Sequence, residues 1–192
     1  MSRTVLVTYA SKMGATAEIA AAIGEELRAH GHEVDVRDVS DVDTIERYDA
    51  VVLGSAIYIR RWRRTAVHFL RQHLHELRQR QVWLFHSGPV GPDQDAEQPM
   101  PGNVRRLAHA IGATPAVTFA GRLEQSTATG FLARRMARGA FAGDCRDWPK
   151  IRAWAGDVSA AIGATQRSHW HRPPATRATK HALRPPAGHF LG

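Results

Sequence analysis

A chain of 192 residues with 43% hydrophobic content holds enough apolar material for one domain with a buried core. Its longest apolar runs, such as residues 5–7 and 50–53, fall far short of the ~20 needed to cross a bilayer, and the N-terminus carries no signal-peptide apolar stretch, so a cytoplasmic chain is expected. The net charge of +8 suggests nucleic acid or a membrane until it is located: residues 165–192 hold Arg167, Arg172, Arg177, Lys180 and Arg184 with no acid, and the rest carries 21 basic against 18 acidic side chains, or +3.

In chain order, residues 4–9 (TVLVTY) are short, apolar and β-branched, as expected of a buried central strand. A helix is predicted from about Ala15, with Ile19, Ala22, Ile23 and Leu27 on one face and Glu25, Glu26 and Arg28 opposite, ending at Gly31. Residues 32–39 alternate Val34, Val36 and Val39 with charged residues and read as a strand nearer the sheet edge. Residues 48–55 (YDAVVLGS) form a third strand, and residues 61–77 a helix carrying Val67, Leu70, Leu74 and Leu77. Residues 81–87 (QVWLFHS) make a fourth strand, followed by a loop rich in proline and glycine over 88–102 and a helix over about 103–111. Residues 115–120 (PAVTFA) are a fifth strand. A last helix starts near Pro149 and carries Ile151, Trp154, Val158 and Ile162. The domain is expected to span 1–164, with 165–192 a Pro/Arg/His-rich tail, disordered or loosely attached.

Alternating strands and helices predict an α/β fold, a doubly wound parallel sheet of five strands in the order 2-1-3-4-5. In such sheets ligands sit beyond the carboxyl ends of the strands. That rule selects three loops, over residues 10–16, 56–62 and 88–102. The first holds Ser11, Lys12, Met13, Gly14, Ala15 and Thr16 and runs into a helix, so hydroxyls at both ends, a central glycine and free backbone N–H groups suit a phosphate monoester. The dinucleotide fingerprint and the Gly-Lys-Ser/Thr ending of a P-loop are absent from this turn. Taken alone, the segment serves equally well as a helix start with no ligand.

Ser11-Lys12-Met13-Gly14-Ala15-Thr16 is similar to the flavodoxin phosphate motif, with Met13 in place of its middle hydroxyl residue and Ala15 in place of its common asparagine. Gly-Ser-Ala-Ile-Tyr at 54–58, Ala-Gly-Arg-Leu at 120–123 and Asp-Trp at 147–148 resemble the flavodoxin-type, quinone-dependent protoporphyrinogen oxidases, and the likeness spans about residues 3–163. The resemblance implies a flavodoxin-like fold and bound FMN. The phosphate would lie on Ser11, Gly14 and Thr16 with the backbone of Lys12, Met13 and Ala15. The ring would lie beside Ser55, Ala56 and Ile57, with Tyr58 as a stacking aromatic. Backbone groups of Ser87, Gly88, Pro89 and Val90 would meet its edge.

The resemblance further implies heme-biosynthesis chemistry: a porphyrinogen or other hydrophobic reduced substrate passes electrons through the flavin to a quinone. No catalytic side chain and no metal is needed. The four histidines of the tail have no acid or cysteine beside them, and Cys145, the sole cysteine, excludes an internal disulfide. The basic insert, with Phe131, Leu132, Met136 and Phe141 among Arg134, Arg135 and Arg138, suits peripheral contact with an anionic membrane at its inner face, or a porphyrin's propionates. Asp144 and Asp147 read as helix caps. Arg60, Arg61, Arg63 and Arg64 cluster after Tyr58, where they read as a solvated helix start or, beside a flavin, would attract an acidic substrate or a phosphate-rich surface. No nucleic-acid partner is expected, because the basic residues gather in a tail and an insert without a recognition motif. The oligomeric state is left open. An electron carrier, or a binding module without FMN, is the reading from another class; carriers are usually acidic, and a core of +3 argues against a shuttle.

Overall fold

The computed structural model describes residues 2–88, 96–123 and 143–170, with side chains described to residue 164. Five parallel strands, β1 (Thr4–Ala10), β2 (Glu33–Asp38), β3 (Ala50–Tyr58), β5 (Gln81–Ser87) and β6 (Val117–Phe119), stand in the order β2-β1-β3-β5-β6. A two-residue strand β4 (Arg61–Trp62) folds back antiparallel on β3. Counting the parallel strands alone, this is the expected order 2-1-3-4-5. The uninterrupted apolar runs of β1 and β3 follow from their central place, since both faces are covered, whereas the alternating β2 is half-buried at the edge.

Side chains of successive strand residues point to opposite faces, which divides the core in two. Leu6, Val51, Leu53 and Leu84 face Ala66, Leu70, Val104 and Ile111, brought by α2 (Arg64–Gln72) and α4 (Gly102–Ile111). On the other face Val5, Val7, Val52 and Phe85 meet Ile19, Ile23 and Leu27 of α1 (Ala15–Ala29) and Ile151, Ala155 and Val158 of α5 (Trp148–Trp170). α1 buries positions 19, 23 and 27, one per turn, as its amphipathic spacing predicts.

Three segments depart from the sequence reading. Residues 56–62, expected as a loop, instead continue β3 through Tyr58 and return as β4, with Ile57 paired to Trp62 and Tyr58 to Arg61. The two turn residues, Ile59 and Arg60, both adopt left-handed φ (47° and 56°), the geometry that matches strand twist in a two-residue hairpin. With Trp62 buried and paired within this hairpin, α2 begins only at Arg64, and residues 61–63 fall outside the expected helix over 61–77. That helix is also divided: α2 ends at Gln72, and α3 (Leu74–Leu77) begins after His73, which is buried with its ring 4.7 Å from that of Phe69. Finally, α5 runs to Trp170, six residues beyond the expected domain boundary, consistent with Pro173 being the first proline after Pro149. The rest of the tail, residues 171–192, lies outside the described residues, as does most of the basic insert (124–142).

Candidate functional site

The first loop is organised by Gly14. Its φ of 88° is a left-handed conformation that a glycine adopts without steric cost, and it turns the chain from β1 into α1. The Ser11 hydroxyl accepts the Gly14 N–H at 3.1 Å, so Ser11 shapes the loop itself. No side chain caps α1, leaving the dipole-bearing end of a fifteen-residue helix without a side-chain acceptor. Thr16 sits inside this first turn, almost fully buried, and its Oγ1 lies 2.7 Å from Ser87 Oγ at the end of β5. Two residues chosen from separate loops are thereby brought into contact, 71 positions apart.

The second loop closes on the first from the other side. Ser55, Ala56 and Ile57 are buried, and Tyr58 is 39% exposed, with the Lys12 ammonium 6.0 Å from its ring centroid. Burial raises the Tyr58 pKa, so the phenol stays neutral at physiological pH. Ser55 Oγ accepts the backbone N–H of Arg63 at 3.0 Å and fixes the entry to α2. Gly88 follows β5, and a Cβ there would come 2.2 Å from Ile57 Cγ2; this close approach seats the third loop against the second. Pro89 and Val90 lie outside the described residues.

His86, next to Ser87, is a fully buried core residue. Its Nδ1 accepts the Trp62 indole N–H at 3.3 Å, and its Nε2 is 2.9 Å from Thr118 Oγ1, which also accepts the Gln98 backbone N–H. Burial pushes the imidazole pKa down to about 4. A neutral ring with Nε2 protonated satisfies both neighbours, because the indole can only donate.

One group of charges beside the first loop escaped sequence reasoning. Glu18, in the first turn of α1, accepts from Arg122 at 2.6 Å and from Arg146 at 2.7 Å, and Arg146 is bidentate to Asp144 at 2.6 and 2.7 Å. The Arg146 hydrogen bonds hold the Asp144 carboxyl below its usual range. Asp144 is therefore an ion-pair partner on β8 (Gly143–Asp144), paired with β7 (Arg122–Leu123), and not the expected helix cap. Asp147 does cap α5, accepting the Lys150 N–H at 2.9 Å. A Cβ on Gly14 would lie 3.6 Å from the Arg122 guanidinium, so this network backs directly onto the first loop. The sequence signal for it was a charged residue immediately after strand five, inside Ala-Gly-Arg-Leu.

An uncapped helix N-terminus, a left-handed glycine and a buried threonine hydroxyl form a donor set that fits a phosphate ester. Tyr58 and the buried ends of β3 and β5 offer a flat group an apolar wall. No group of three or more metal-ligating side chains occurs among the described residues, and no helix there is long and apolar enough to cross a membrane.

The fold and this edge define a doubly wound α/β protein with a phosphate-ready loop after its first strand. Residues 6–140 match the model of the flavodoxin domain, and the chain belongs to that family, whose members bind FMN and serve in electron transfer. A flavodoxin from the domain Archaea is similar in fold, with a TM-score of 0.58 at 15% identity, over 83% of this chain and 99% of that one. Oxidised flavodoxin 2 from Bacillus cereus gives 0.53 at 18% identity, over 85% and 99%. The rubredoxin oxygen:oxidoreductase from Desulfovibrio gigas gives 0.57 at 14% identity over 85% of this chain, which spans 37% of that longer one. No curated protein matches the chain.

Proposed function

We propose that the protein is an FMN-dependent oxidoreductase resembling the quinone-linked protoporphyrinogen oxidases, taking electrons from a hydrophobic reduced substrate and passing them to a quinone or another acceptor. The observation that carries FMN is the convergence of three strand ends: the uncapped N-terminus of α1, the Thr16 and Ser87 hydroxyls in contact, and Tyr58 across from Lys12. The Thr16 hydroxyl and the backbone N–H groups at the start of α1 would bind the phosphate, while Ser11 holds the loop in shape and Gly14 lets it approach. Ser55, Ala56, Ile57 and Tyr58 would flank the ring on one side, and the backbone after Ser87, through Gly88, Pro89 and Val90, its edge. When bound, FMN supplies hydride and single-electron exchange. The chain's part is to orient the ring, exclude water from its buried side and keep neutral groups, Tyr58 and His86, nearby.

Thr16→Ala is expected to weaken FMN binding by about 1–3 kcal/mol and riboflavin binding by less, since the donor to the phosphate serves FMN alone while the lost contact with Ser87 touches both. Equal losses for both flavins would move Thr16 out of the phosphate site.

Substrate class is tested by anaerobic mixing of the FMN-loaded protein with protoporphyrinogen and then with a quinone. Bleaching of the flavin's visible band by the first and its recovery with the second is the expected result; a flavin that porphyrinogen does not reduce removes this substrate. A flavodoxin-like electron carrier is the second reading, favoured by the solved flavodoxins whose fold this chain matches over 99% of their length. A carrier, reduced by light, would pass electrons to a protein acceptor and remain inert toward porphyrinogen.

A further inference from the structure

A cleft of about 660 Å³ lies between β4, α2 and the start of α4, beside the hairpin that carries Tyr58. Arg61, Arg64 and Arg71 line it, together with His68 and Asn103, and no carboxylate among the described residues does. Its apolar lining includes Trp62, a buried side chain anchored through its indole N–H to His86. Arg64, His68 and Arg71 fall at i, i+4 and i+7 on α2 and so form one stripe, with the two arginines about 10 Å apart along the axis.

Several arginines elsewhere among the described residues have partners of their own. Arg3, Arg47 and Arg146 hold carboxylates, and Arg28, Arg78 and Arg80 hold backbone carbonyls. The side chains of Arg61, Arg64 and Arg71 make no hydrogen bond or ion pair among the described residues. Their placement also works against stability, because Arg64 stands at the positive end of the nine-residue α2, whose first turn has no acid and whose preceding residue offers no side-chain cap. Cations that share one concave wall, with no counter-charge among the described residues, repel one another until an anion joins them.

We propose that this cleft is a binding site for a small polyanion, a molecule bearing at least two phosphate or carboxylate groups. Arg64 and Arg71 each take one anionic group, and Arg61 takes the end nearest the Tyr58 hairpin. The volume of this open cleft lies in the range of small-molecule sites. The site shares no residue with the first loop and stands whether or not FMN binds there.

The probe is inorganic pyrophosphate, titrated calorimetrically into the full chain at low salt with excess FMN present, beside orthophosphate at the same ionic strength. Pyrophosphate is expected to bind about tenfold more tightly than orthophosphate, and the double variant Arg64→Gln, Arg71→Gln to lose at least about tenfold of that affinity. A charge-matched double variant away from the cleft, Arg37→Gln with Arg152→Gln, is expected to retain it. Circular dichroism shows whether each variant is folded. If both double variants lose affinity equally, or pyrophosphate binds no better than orthophosphate, the attraction is general and the site is refuted. Flotation with phosphatidylglycerol vesicles forms the last arm: lipid binding that depends on Arg64 and Arg71, without pyrophosphate binding, would assign the arginines to a membrane surface and overturn the proposal.

Discussion

Gly54→Ala is expected to lower the unfolding free energy by about 3 kcal/mol, because its new methyl group has no room. A Cβ at this position would stand 2.1 Å from Phe85 Cζ. Gly54 pairs in register with Phe85 on β5, and the Phe85 ring lies over the space where a side chain would be. The ring cannot swing away freely: its centroid is 5.8 Å from that of Phe119 and 6.0 Å from that of Trp154, and those two rings are 5.6 Å apart. Urea unfolding reads the effect as a lower midpoint with an unchanged slope. The partner variant Phe85→Leu, which vacates the ring's place, should make the double mutant less unstable than the two single losses combined. Strict additivity would show that the glycine serves something other than the ring.

Acidification acts through His86. Its folded value of about 4 lies below the ordinary 6.5, so between those limits the unfolded chain binds a proton that the folded one refuses. Stability is therefore full above about pH 6.5 and declines as the pH falls to about 4. At 1.36 kcal/mol per pH unit the interval is worth about 3 kcal/mol. Protonation at Nδ1 would also cost the bond from the Trp62 indole and loosen β4, the strand that supports the Tyr58 hairpin. Burial lowers the pKa of His32 and His73 as well, so both add to the decline in the same direction. Urea unfolding at a series of pH values is the measurement, and His86→Gln should flatten most of the slope between pH 4 and 6.5. A slope untouched by that substitution would assign the acid sensitivity to other groups.

Those two residues also show what a linear reading captures. Residues 81–87 were legible as a strand, and β5 has those bounds; the sequence does not reveal that Phe85 crosses the β3 glycine or that His86 is caught between Trp62 and Thr118. The course of the first loop was legible because it is local: Ser11 through Thr16 are contiguous, and the helix they open has a clear apolar face. The hairpin at Ile59 and Arg60 was hidden for the opposite reason. Its turn geometry ordinarily calls for asparagine or glycine, and a β-branched residue at positive φ gives no turn signal. The Glu18 network joins residues 104 and 128 positions apart, a pairing that neither periodicity nor motif spacing encodes.

Titration of the purified protein with FMN and with riboflavin, each followed by quenching of flavin fluorescence, tests the phosphate site at the start of α1 most directly. One FMN per chain, bound at least about tenfold more tightly than riboflavin, is the expected result, since only FMN can use the Thr16 hydroxyl and the helix N-terminus. Two flavins bound with equal affinity, or neither bound, would contradict it.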